Sequence, residues 1–151
     1  MFKFFKKISV VFWLLWWVTT LWTDIIGYIV YFYGFRASWA SAGNFLFLVR
    51  SLKKYSVPFI VDKLLYIGII FISFIVFIMF LYATIKITSR EWLKYANIAF
   101  IFALLYWMLF FISDQIVMNF VLEANHMIQA SFMLLNFIVI NLLPDDDHSI
   151  K

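Results

Sequence analysis

From Leu64 to Ile85 the chain carries no charged residue. A helix needs about 20 mostly apolar residues to cross the roughly 30 Å hydrocarbon core of a bilayer, and this run meets that length. Three more segments come close to the same standard. Ile8–Phe35 is interrupted only by Asp24, Tyr95–Leu122 only by Asp114, and Met127–Leu143 is uncharged but short. Open strands are excluded, because hydrocarbon leaves unpaired backbone groups unsatisfied and the runs lack the roughly ten-residue alternation of barrel strands. With 66% hydrophobic and 13% charged residues, the chain falls far short of the about one quarter charged that a water-facing domain carries.

These runs predict an all-α integral membrane four-helix bundle, one transmembrane domain over residues 1–151, with spans at about 8–35, 64–85, 95–122 and 127–143. Pro144 and the carboxylates of Asp145, Asp146 and Asp147 end the last span, since proline cannot continue a helix and three acids cannot enter lipid. Lys3, Lys6 and Lys7 ahead of an apolar stretch imitate a secretory signal, with Ala40-Ser41-Ala42 as a mock cleavage site. The stretch is too long for a signal core, so a retained first span is expected.

Between the first two spans, residues 37–56 form an interfacial or re-entrant segment. Its centre, Asn44-Phe45-Leu46-Phe47-Leu48-Val49, is too apolar for water and too short to cross. Trp39 and Tyr55 anchor it at the membrane surface, and Lys53 and Lys54 meet lipid phosphates. Ser56-Val57-Pro58 reads as a helix start that places Asp62 near the positive end of the following helix.

Basic residues favour the side of the termini: Lys3, Lys6, Lys7, Lys86, Arg90, Lys94 and Lys151, against Arg36, Arg50, Lys53, Lys54 and Lys63. The expected orientation has both termini in the cytoplasm. The 12 basic residues flank spans, which points to anionic lipid headgroups as partners and not to nucleic acid.

Ionisable groups within spans are costly, so Asp24 and Asp114 are the first candidates for function. With the hairpin turn read at Glu123–His126, Asp114 lies about 13 Å below the outer surface, and Asp24 lies in the outer part of the first span. Asp24, Asp114, Gln115, Asn119, Glu123 and His126 then form one polar cluster in the outer half, with His126 a hydrated turn residue. Thr20, Asp24 and Tyr28 share a face of the first span, and Gln129 and Asn136 share a face of the fourth. Trp13, Trp16 and Trp17 lie deeper than the interfacial belt. Buried indoles seek a partner for N–H, so Trp13, Trp16, Trp17, Thr20, Gln129 and Asn136 are candidates to face another protein.

Several functions are set aside. The chain has no cysteine and only four glycines, so thiolate metal sites, disulfides and thiol catalysis are excluded, and there is no glycine-rich phosphate loop, HExxH or GxSxG. No span contains the histidine pair that a haem would need, and no cofactor is expected. Four short-looped helices with an acid in the first span resemble small multidrug exporters in helix count alone, and no residue is carried over from them. The expected function is a non-enzymatic subunit, structural or accessory, of a larger membrane complex, with other integral membrane subunits as partners. Two alternatives remain open. One is a small oligomeric proton- or cation-coupled transporter or channel using Asp24 and Asp114. The other is a metal or quinone site at the outer end, for which Asp24, Asp114, Glu123 and His126 supply the hard ligands.

Overall fold

The computed structural model of the chain describes residues 2–144. Its elements run α1 (Phe2–Tyr33), α2 (Gly43–Leu52), a 3₁₀ turn (Lys53–Tyr55), α3 (Phe59–Ile85), α4 (Trp92–Ile116) and α5 (Phe120–Leu142), with no strand among the described residues. Four of these, α1, α3, α4 and α5, are long and apolar enough to cross a membrane. The chain is an all-α four-helix bundle with one short helical segment between its first two long helices. The acidic tail and Lys151 lie outside the described residues.

Pairs of rings and side chains set an up-down-up-down order. The end of α1 meets the start of α3 through Tyr31 and Phe59. Tyr82 near the end of α3 meets Tyr95 near the start of α4, and Asn97 of α4 exchanges two 2.9 Å hydrogen bonds with Asn141 near the end of α5. The start of α1 and the end of α5 therefore share one end of the bundle with the α3–α4 turn. The opposite end gathers α2, the 3₁₀ turn, the start of α3 and the α4–α5 turn.

Packing in lipid gains little from hydrophobicity, because acyl chains are as apolar as leucine; close contact and buried hydrogen bonds must hold the helices. Helix α4 meets that need with a stripe of small residues, Ala96, Ala99 and Ala103, all 0% exposed. Large rings fill the space these leave: Phe80 lies edge-on to Phe100 at 5.2 Å, and Trp13 edge-on to Phe100 at 6.4 Å. Trp17, fully buried, sits edge-on to Tyr106 at 5.0 Å and tilted against Trp107 at 6.2 Å.

The tryptophans correct an expectation. Trp13 and Trp17, read as partner-facing, are enclosed by this chain's own α4 and α5. Their indole Nε1 atoms, with those of Trp16 and Trp107, have no hydrogen-bond partner among the described residues. Ring packing outweighs the lost N–H bond here, as the edge-to-face contacts indicate.

Helix ends also shift. The start of α3 at Phe59 agrees with Ser56-Val57-Pro58 as a helix start, and Asp62 falls in its first turn. The last hairpin turn, however, lies at Val117–Asn119, not at Glu123–His126. Met118 takes a left-handed conformation, φ 51°, and the side-chain oxygen of Asn119 accepts the N–H of Leu122 at 3.3 Å, an N-cap that starts α5. Glu123 then occupies the first turn, where its charge suits the helix dipole.

One close approach requires a glycine. A Cβ at Gly27 would stand 2.7 Å from the Tyr66 hydroxyl, whereas a Cβ at Gly68 meets nothing within 4 Å. Gly27→Ala is expected to destabilise the purified protein by about 1–3 kcal/mol through forced displacement of Tyr66. Gly68→Ala is expected to stabilise it by about 0.5 kcal/mol through helix propensity alone. Denaturant unfolding in micelles, followed by tryptophan fluorescence, separates the two; equal effects would count against a tight α1–α3 contact at Gly27.

Candidate functional site

The last turn of α4 and the first turns of α5 bring a set of polar side chains together. Trp107, Phe110 and Asp114 recur at helical spacing on α4, as Asn119, Glu123 and His126 do across the start of α5. The short turn folds the second set onto the first. His126 Nδ1 and Asp114 Oδ2 share a hydrogen bond of 2.6 Å, with side-chain exposures of 13% and 4%. The imidazole packs against Phe110 at 4.7 Å and Trp107 at 5.6 Å between ring centroids. Beside this pair, Gln115 Nε2 donates to Glu123 Oε1 at 2.6 Å.

His126 is thus no hydrated turn residue. It lies in the second turn of α5, held by an acid and two rings. The misplaced turn explains the error, because moving the hairpin back to Val117–Asn119 carries His126 inside.

Asp24 belongs to a different arrangement. It is buried at 5% exposure, and Asn44 of α2 donates its side-chain amide to Oδ1 at 2.9 Å. Ser73 of α3 lies alongside the carboxylate and donates to the Tyr106 hydroxyl of α4 at 3.1 Å. Tyr66 donates to the Asp24 backbone carbonyl at 3.1 Å. Polar groups from α2, α1, α3 and α4 are joined in this way, from α2 to the middle of the bundle. None of Asn44, Tyr66, Ser73 and Tyr106 stood out as a site residue in the sequence, since a lone serine or tyrosine in an apolar run carries no periodic signal.

Depth separates the two acids in the reverse of the expected order. From Asp24 to the end of α1 at Tyr33 is roughly 13 Å of helix, while Asp114 lies in the last turn of α4. Among the described residues no three His, Cys, Asp or Glu side chains come together as a metal ion would require. The ligand set of Asp24, Asp114, Glu123 and His126 is therefore not assembled.

Helix α2 ties the two arrangements together. Phe45, 0% exposed, wedges among the rings of Tyr31, Phe32, Phe59 and Tyr66. At its other end, Asn119 Nδ2 donates to Ser51 Oγ at 3.2 Å, and the Tyr55 hydroxyl donates to the Ile116 carbonyl. The segment between the first two long helices is bonded onto α1 and onto the α4–α5 turn.

Trp16, Thr20, Gln129 and Asn136 border a second feature, the seam between α1 and α5. These helices touch over a short stretch through Phe12, Trp13 and Phe132. Beside that contact lies an open groove of about 350 Å³ lined by Phe5, Ser9 and Phe12 from α1 and Phe132, Asn136 and Val139 from α5. Trp16 and Thr20 continue the Phe12 face of α1, and Gln129 continues the Phe132 face of α5.

Comparison of the chain with protein-family models, with curated proteins and with solved structures finds no match.

Proposed function

We propose that this chain is a non-enzymatic integral membrane subunit of a larger membrane complex, and that a transmembrane helix of another subunit seats in the α1–α5 seam. The observation that carries this reading is the unmet hydrogen bonding along the seam. Asn136 spends its amide on its own helix, at the Phe132 carbonyl, and Gln129 has no hydrogen-bond partner among the described residues. Amides in lipid are stabilised by a neighbouring helix that offers complementary groups. Both termini lie on the cytoplasmic side in this reading. Its support is the gathering of Lys3, Lys6, Lys7, Lys86, Arg90 and Lys94 at one end of the bundle.

Because the chain has no cysteine, one introduced thiol can be addressed alone. Asn136→Cys carrying a photocrosslinker is expected to capture a discrete second membrane protein in native membranes. Leu105→Cys, on an exposed face of α4, is expected to label lipid. A chain that extracts as a lone monomer, with both positions labelling lipid equally, overturns the subunit reading. So does a proton or cation flux in liposomes of the purified protein that disappears with Asp24→Asn and Asp114→Asn, because that result assigns the acids to transport.

A further inference from the structure

At the opposite end of the chain's short segment, a cleft of about 500 Å³ opens between α2, the 3₁₀ turn and the first turn of α3. We propose that this cleft binds the zwitterionic phosphoethanolamine headgroup of a membrane lipid, with the phosphate on Arg50 and Lys53 and the ammonium on Asp62.

Four observations meet here. Arg50 and Lys53 line the cleft and form no salt bridge among the described residues. The neighbouring cations are engaged elsewhere, Lys54 over the Tyr55 ring and Lys63 over the Phe32 ring. The first turn of α3 adds the positive end of a helix whose cap, Pro58, offers no side-chain acceptor. Asp62 also lines the cleft; it is 5% exposed, and its Oδ1 has no hydrogen-bond partner.

A bare phosphate satisfies only half of this set. Two cations and a helix N-terminus recruit an anion, but a buried carboxylate on the same wall repels it unless the ligand brings its own positive charge. A primary ammonium supplies that charge together with N–H donors for the unpartnered oxygen. A trimethylammonium group supplies the charge without the donors, and a glycerol headgroup supplies neither charge. The apolar part of the cleft wall, Val57 and Phe59, leads onto the exposed side chains of Phe59 and Ile60 at 48% and 56%. Acyl chains can run from the cleft along that face, which favours a lipid over a free phosphate ester.

The test is native mass spectrometry of the full chain released from micelles doped with phosphatidylethanolamine, phosphatidylcholine or phosphatidylglycerol of identical acyl chains. Phosphatidylethanolamine is expected to be retained most. Arg50→Gln and Lys53→Gln are each expected to lower its retention about fivefold, the usual contribution of one basic residue at a headgroup. Both side chains are exposed, so these variants keep the fold. Asp62→Asn is expected to erase the preference for phosphatidylethanolamine over phosphatidylglycerol. Equal retention of the three lipids, a preference for phosphatidylglycerol, or retention unchanged in Arg50→Gln and Lys53→Gln overturns the assignment. Soluble phosphoethanolamine that binds as tightly as the lipid overturns the lipid as its source.

Discussion

Asp114→Ala is expected to destabilise the bundle by about 1–3 kcal/mol, the usual cost of leaving a buried hydrogen-bonding group without its partner. The carboxylate is 4% exposed and its partner imidazole 13%, so little solvent reaches the bond. What remains is a histidine pressed between Phe110 and Trp107 with its Nδ1 unsatisfied. His126→Phe alone leaves the converse problem, an acid facing rings. The double variant, Asp114→Ala with His126→Phe, removes both polar groups and is expected to cost clearly less than the sum of the single changes. A double-mutant cycle of reversible unfolding in bicelles reads the coupling directly. Additive single effects would mean that the 2.6 Å contact contributes nothing to holding the α4–α5 hairpin.

Trp17→Ala is expected to cost about 3–5 kcal/mol by the same measurement, as for other large-to-small changes in a packed core. Trp17 is 0% exposed and touches the rings of Tyr106 and Trp107. Tyr106 in turn holds the Ser73 hydroxyl. The cavity would therefore open beside the polar chain that runs to Asp24, and α1 would lose a principal contact with α4. Trp22→Ala is the control: at 55% exposure, stacked on Trp39 at 6.1 Å, it is expected to change stability by less than about 0.5 kcal/mol. Comparable losses at both positions would show that helix α1 is held by general apolarity and not by its packed face.

Some particulars of the fold were legible in the residues. Pro58 after Ser56-Val57 marked the start of α3 and put Asp62 in its first turn. Four apolar runs marked the four long helices, and the short apolar stretch around Phe45 marked a segment that docks without crossing. The α4–α5 turn was misread because Glu123 and His126 look like water-facing residues, while the true signal was smaller: Asn119 as a cap, three residues before the amide it accepts. Lys6, read as a topology marker, is 2% exposed.

The inward faces were the least legible. In a soluble bundle, polar residues mark the outside; here Ile101 at 47% and Phe102 at 42% exposure are as apolar as buried Phe100. Periodicity therefore cannot tell lipid from core. The alanine stripe Ala96, Ala99 and Ala103 was a usable signal, since small residues at helical spacing favour close helix approach.

By itself, the sequence determined the number of long helices, that they are long and apolar enough to cross a membrane, and the presence of two acids within them, because charge and length alone decide what can enter hydrocarbon. Only the tertiary structure decided which acid meets which partner: Asn44 for Asp24, His126 for Asp114. Those pairings depend on helix register and on where one turn falls. A shift of a few residues moves a side chain several ångströms along the axis and around the helix, from lipid to core.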